Sequence, residues 1–250
     1  MASLDSVRQK IFRAALHAKS LEPELQRYFE TNPGKLVMEP NSPPDKPSFI
    51  LQAKEPMPAR FGLIIGDCFQ NLRSSLDYLV WELVLAENNE PGKHNMCPIC
   101  RAPETFKDAV NKSRRLAGVH PDAIAEIEAL QPYNLEKDME KSTLLVLDEL
   151  TNINKHRRVL LTMLRGGPSN IEVIDANGEL WAGGAMPVLD GNTKITATIS
   201  SGQMQVDTQV FACVTFDEGA AKGLEVTTCL NEWIHYVLNG VIPMFERFFV

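Results

Sequence analysis

The stretch Ile65-Gly66-Asp67-Cys68-Phe69-Gln70-Asn71-Leu72-Arg73-Ser74-Ser75-Leu76-Asp77-Tyr78-Leu79-Val80-Trp81-Glu82-Leu83 decides the fold. Ile65, Phe69, Leu72, Leu76, Leu79 and Leu83 recur at three- and four-residue intervals, the period of a helix with one buried stripe. Pro56 and Pro58 sit just ahead of it, where proline is tolerated, so the spacing predicts a helix from Ala59 to about Ala86. Set into that pattern is unusual polarity. Asp67, Asn71, Ser74 and Tyr78 share one face, and Arg73 and Asp77 stand four apart, close enough to pair.

A second polar set follows at Asn152-Ile153-Asn154-Lys155-His156-Arg157, inside a segment expected to be helical from about Lys137 to Arg165. Asn152 and His156 align with Leu145, Val159 and Met163, while Arg157 lies with Leu150, Ile153, Leu160 and Leu164. A polar group beside a core must find a partner or serve chemistry. The two sets are therefore expected to meet at a helix–helix seam. Either the seam is a network that fixes helix register, or it is a site. In a site, His156 would be the acid or base, Arg73 or Arg157 would clamp an anion, and Asp77 would orient a partner. The candidate binding residues are Asp67, Asn71, Arg73, Asp77, Tyr78, Asn152, Lys155, His156 and Arg157; any catalytic set would come from Arg73, Asp77 and His156. If Arg73 and Asp77 are buried partners, Asp77→Ala should cost roughly 3–5 kcal/mol.

Outward from these helices, Leu4, Val7, Ile11, Ala14, Ala15, Ala18, Leu21 and Leu25 predict a first helix from about Ser3 to Phe29, ended by Asn32-Pro33-Gly34. Lys35–Glu39 and Ser48–Lys54 read as a hairpin around the proline-rich turn 41–45. Short helices are expected at Glu104–Asn111 and Asp122–Leu130. After the stop Gly166-Gly167-Pro168 the composition turns to Val, Ile and Thr. Asn177-Gly178 predicts one hairpin there. Ser200-Ser201-Gly202, between 193–199 and 204–216, predicts another. A last helix is expected from Leu224 to Phe249, bent near Gly240 and Pro243. The fold class expected is α+β: three to four long helices in a bundle, with a small antiparallel sheet built from hairpins. The whole chain, 1–250, reads as one domain, with helical core at 1–32, 58–166 and 222–250, a β-rich insertion at 168–217 and a short hairpin at 35–54.

Composition narrows the function classes. A formal charge of −7 over 250 residues argues against general coating of nucleic acid, which needs a basic surface. The chain lacks an apolar run long enough to span a bilayer, and Met1 to Arg8 lacks the apolar core of a signal peptide. With five scattered cysteines, this points to reduced thiols in the cytoplasm and to no membrane partner. Cys97-Pro98-Ile99-Cys100 with His94 offers three metal-ligand types but lacks a fourth, so neither a metal nor another cofactor is expected. The basic cluster Lys107, Lys112, Arg114 and Arg115 reads as a solvated face.

The segment from Gly66 to Trp81 resembles the Gly-Asp/Glu-x-x-x-Asn-Leu-Arg-Ser-Ala-Leu-Asp-His-x-x-Trp signature of a group of uncharacterised bacterial proteins. Leu150, Asn152, Lys155, His156 and Arg157 are similar to that group's second signature, Leu-x-Asn-x-x-Lys-His-Arg, and Leu130-Gln131-Pro132-Tyr133 extends the likeness. Members that read Arg-Ser-Ala-Leu-Asp-His also resemble the HEPN superfamily, whose Arg, four to six residues, then His on one helix cleave RNA without metal. This chain has Tyr78 where that His would fall. The expectation is therefore a non-catalytic binding or interaction module whose seam takes a small anionic ligand. The alternative is a HEPN-like ribonuclease weakened by Tyr78, and RNA is a partner only under that alternative. Self-association is left open.

Overall fold

The computed structural model describes residues 2–31, 33–38, 48–53, 57–157, 161–165, 171–174, 180–183, 195–196, 205–207 and 212–249. The chain is mostly helical. Helices α1 (Asp5–Glu30) and α2 (Ala59–Ala86) are the long ones, at 26 and 28 residues. They lie antiparallel along one another. Glu82 accepts hydrogen bonds from Ser3 N and Ser6 Oγ, Lys10 covers the Tyr78 ring, Arg60 pairs with Glu24, and Tyr28 meets Phe61 edge-on. The stripe expected on α2 is the core: Ile65, Phe69, Leu72, Leu76, Leu79 and Leu83 are all buried. So are Val7, Ile11, Ala14, Ala18, Leu21 and Leu25 on α1.

Helices α3 (Pro103–Asn111) and α4 (Pro121–Ala129) each begin with proline at the first turn. α5 (Thr143–His156) runs antiparallel to α2, touching it at Gly66–Asn154 and Arg73–Asp148. The sequence places this helix at Lys137–Arg165, and the structure corrects both ends. Before it, Pro132–Lys141 is 3₁₀ helix broken at Glu136 (φ 46°), and Ser142 turns extended (ψ 122°) ahead of Thr143. After it, Arg157 is extended (φ −161°, ψ 163°), and Leu161–Arg165 is a strand, β3. The run Leu160-Leu161-Thr162-Met163-Leu164 suits a helix or a strand equally by period. Pairing with β8 (Ala212–Phe216) decides it. Met163 stands on β3 and does not extend the Asn152–His156 face; Val159 lies outside the described residues.

α6 (Val226–His235) passes into a π-helical turn, Tyr236–Val241, and then 3₁₀ helix, Ile242–Phe248. The bend expected near Gly240 and Pro243 is thus a change of helix type, at the point where Pro243 has no N–H to donate. This end packs back on the bundle through Arg247–Glu126 and Arg8–Glu246. Of the three or four long helices expected, the described residues show two, accompanied by the shorter α5 and α6.

The remaining strands are β1 (Gly34–Met38), β2 (Ser48–Ala53), β4 (Ile171–Ile174), β5 (Leu180–Gly183), β6 (Ile195–Thr196) and β7 (Gln205–Asp207). The β1–β2 and β4–β5 pairs are antiparallel. The hairpin expected around 200–202 is not formed by its described parts: β6 pairs with β2, β7 with β4 and β8 with β3. The turns at 41–45, 166–168, 177–178 and 200–202 lie outside the described residues.

Helix α6 starts on a side-chain cap. Glu225 accepts from Thr227 N (3.0 Å), Thr228 N (2.6 Å) and Thr227 Oγ1 (2.6 Å). Partial burial works against its charge, but these hydrogen bonds together outweigh burial and hold the carboxyl below its ordinary value. A lowered folded-state pKa adds stability above the unfolded value and loses it as pH falls through the folded one. Glu225→Gln should therefore be about 1 kcal/mol less stable than wild type at neutral pH, with the gap closing on acidification below pH ~4. Urea titrations of both proteins across that range check this.

Candidate functional site

Arg73 is the centre of the polar seam. Its side chain is only 12% exposed, yet each nitrogen finds an acceptor: Nη1 to Asp77 Oδ1 (2.6 Å), Nε to Asp148 Oδ1 (3.1 Å) and Nη2 to the Cys97 carbonyl (2.9 Å). Burial alone would lower the Arg73 pKa; the carboxylates of Asp77 and Asp148 overcome this and keep the guanidinium charged. Asp77 Oδ1 also accepts from Cys97 N (2.9 Å), and Asp148 Oδ2 accepts from Asn152 Nδ2 (3.1 Å). A single planar fork thus joins α2, α5 and the loop at Cys97.

The same loop is held from its other side. Buried Gln131 donates to the carbonyls of Pro98 (3.0 Å) and Ile127 (2.9 Å), and its oxygen accepts from Cys100 N (2.9 Å). The Cys-Pro-Ile-Cys motif is explained by this backbone satisfaction. Both thiols are free and buried, and burial pushes Cys97 up to about 12, far from thiolate chemistry at neutral pH. Among the described residues, no group of three or more His, Cys, Asp or Glu side chains is placed to hold a metal ion.

The structure divides the candidate residues. Arg73, Asp77 and Asn152 come together, with Asp148 between them. Asp67, Asn71 and Tyr78 do not join them. Their face of α2 turns away from α5: Asn71 Nδ2 bonds back to the Asp67 carbonyl (2.8 Å), and Tyr78 is exposed under Lys10 Nζ, 5.1 Å from its ring centre. Lys155 is exposed and bonds to Asn152 Oδ1 (3.1 Å). His156 is exposed near the end of α5, and Arg157 forks onto Glu218.

Beside the Arg73 node, α5 forms one wall of an open cleft of about 530 Å³. Among the described residues, Arg101, Leu145, Asp148, Glu149, Asn152, Ile153, His156 and Arg157 line it. Seven of these eight fall on α5 or at its end, in two rows at i+4 spacing: Asp148, Asn152, His156 and Leu145, Glu149, Ile153, Arg157. Arg101 reaches in from the loop before α3 and pairs with Glu140 and, at 4.0 Å, with Glu149. Sequence reasoning missed Asp148, Glu149 and Arg101. The spacing that singles out Asn152 and His156 also reaches Asp148, four residues earlier; Arg101 had no such signal.

The crossing of α2 and α5 is unusually close at Gly66. A Cβ there would lie 2.3 Å from Asn154 Oδ1 and 2.7 Å from Asn154 Cγ. Alanine favours helix over glycine by about 1 kcal/mol. Gly66→Ala should nevertheless destabilise by about 1–2 kcal/mol, because Asn154 must move. In an Asn154→Ala background the same change should be neutral or stabilising, as a double-mutant cycle in urea would show.

No protein-family model matches the chain, and neither does any curated protein or solved structure.

Proposed function

We propose that the protein is a non-catalytic cytoplasmic binding module that holds a small anionic ligand in the cleft along α5, with the whole chain acting as one α+β unit. The observation that carries this reading is the division of labour on the seam. Arg73 has every nitrogen engaged by protein acceptors, whereas the adjoining cleft is open and carries Asn152, His156, Arg157 and Arg101. The Arg101–Glu140 and Arg157–Glu218 pairs involve arginines half exposed at its edge. The Arg101–Glu140 pair, exposed on both sides, is worth at most about 1 kcal/mol, so exchanging Glu140 for a ligand anion costs little, whereas Glu218 is only 11% exposed and holds Arg157 more firmly. The five cysteines are free thiols, which fits a reducing compartment. No helix among the described residues is long and apolar enough to cross a membrane.

The HEPN-like alternative would need Arg73 to meet an RNA phosphate beside the residue at position 78. The engagement of Arg73 and the separate, outward placement of Tyr78 weigh against it. The test is a heteronuclear NMR titration with inorganic phosphate and with acetate, alongside incubation with RNA. The expected result is shifts confined to residues 145–157 and Arg101, abolished by Arg101→Ala or His156→Ala. Shifts untouched by both substitutions, or none at all, would overturn the proposal. RNA cleavage lost on Arg73→Lys would put the ribonuclease ahead.

A further inference from the structure

We infer that the ligand of the α5 cleft carries a cation as well as an anion, and that it is an ω-amino carboxylate whose two charges are joined by a short aliphatic spacer. This rests on the binding reading above and specifies its ligand. The ordering of side chains along α5 carries it. In one row, Glu149, Ile153 and Arg157 follow one another at i+4 spacing: a carboxylate, an apolar step, then a guanidinium. The first and last are about 12 Å apart along the axis at 1.5 Å per residue. His156 stands beside Arg157 at the cationic end.

The acidic end is not neutralised as its neighbour is. Asp148 has one oxygen on Arg73 and the other on Asn152. Among the described residues Glu149 has only the 4.0 Å approach of Arg101, whose closer partner is Glu140, and its side chain is 33% exposed. The turn at Gly219 (φ +67°) backs the same row. A Cβ there would lie 2.9 Å from Glu149 Oε1 and 3.7 Å from Ile153 Cδ1, so glycine lets the backbone approach both. Next to it, Glu218 meets Arg157.

A ligand bearing only negative charge and filling this length would set an anion against Glu149 and Asp148. A purely cationic one would meet Arg157. A molecule with an ammonium at Glu149, methylenes over Ile153 and Leu145, and a carboxylate at His156 and the Nε edge of Arg157, whose two Nη groups stay on Glu218, meets its complement at each end. The lining charges otherwise nearly cancel, so the cleft selects by the order of charge along its length.

The test uses the full chain and three probes of matched length, δ-aminovalerate, valerate and pentylamine, at millimolar concentration, read by amide shifts. δ-Aminovalerate should bind about tenfold tighter than either single-charge analogue. Glu149→Gln should weaken it about fivefold while leaving valerate unchanged, and Arg157→Gln should weaken both. Glu149 is partly exposed, and an unaltered melting midpoint of each variant shows that its fold is intact. Valerate binding as tightly as δ-aminovalerate, or Glu149→Gln without effect, overturns this inference and leaves the anion site standing. Shifts with none of the three probes overturn both.

Discussion

Arg73→Ala is expected to lower the unfolding free energy by roughly 3–5 kcal/mol, the range for removing one member of a buried charge network. Three effects act together. The Cys97 carbonyl loses its donor, the carboxylates of Asp77 and Asp148 lose the cation between them, and the aliphatic stem leaves the seam. Arg73→Lys keeps the charge but cannot serve three acceptors from one plane, so it should recover only part of the loss. Asp77→Ala should cost less, about 2 kcal/mol. Asp77 is 37% exposed and Asp148 remains to hold Arg73, so the cost reduces largely to the stranded Cys97 N–H. That figure corrects the value expected for an isolated buried pair. Urea denaturation with an unchanged slope checks the series. A loss below about 0.5 kcal/mol for Arg73→Ala would mean that the fork contributes nothing.

Phe69→Ala should be comparably severe, at about 3–5 kcal/mol. The Phe69 ring is fully buried, 5.9 Å from Phe216 on β8 and 5.7 Å from Trp233 on α6, and those two rings stack at 5.8 Å. One side chain therefore links three elements that the chain brings together from distant positions. Truncation leaves a cavity that α2, fixed by α1 and α5, cannot close. Phe69→Leu refills part of that volume and should cost about half as much. In a background with Trp81 and Trp181 replaced by Phe, emission from Trp233 gives the readout: it should shift to the red in Phe69→Ala under native conditions. Stability within about 1 kcal/mol of wild type would show that the triad is not a shared core.

Much of the helical body was legible because helical period is a local property. The limits of α2 follow from Pro58 and the spacing Ile65–Leu83, and every residue of that stripe is buried. Legibility failed where two periods fit one run. Leu161–Leu164 satisfies a helix as well as a strand, and only its pairing with Ala212–Phe216, some fifty residues on, selects the strand. The described parts of the second expected hairpin likewise take non-local partners, β6 joining β2, β7 joining β4 and β8 joining β3.

For the site, spacing correctly joined Arg73 to Asp77 but placed Asn71 and Tyr78 with them. A 100° step per residue separates the Asn71–Tyr78 face from Arg73, and the sequence does not say which face meets α5. Close approach at Gly66 decides that question. The contribution of the Cys97 backbone was hidden altogether, because no side-chain pattern reveals where a loop carbonyl will point. His156 and Arg157 line up with apolar positions only if the helix runs on past His156. Its end at His156 leaves them at an exposed helix terminus instead.

Arg73 is a fork with every nitrogen engaged by the protein, and under the proposed function ligands enter only the cleft beside it. Heteronuclear NMR of the Arg73 Nε–H tests this most directly. A sharp, slowly exchanging resonance, unmoved by phosphate, δ-aminovalerate or RNA while the amides of 149–157 respond, is the predicted result. A rapidly exchanging Nε–H, or one that shifts with any of these additives, would contradict it.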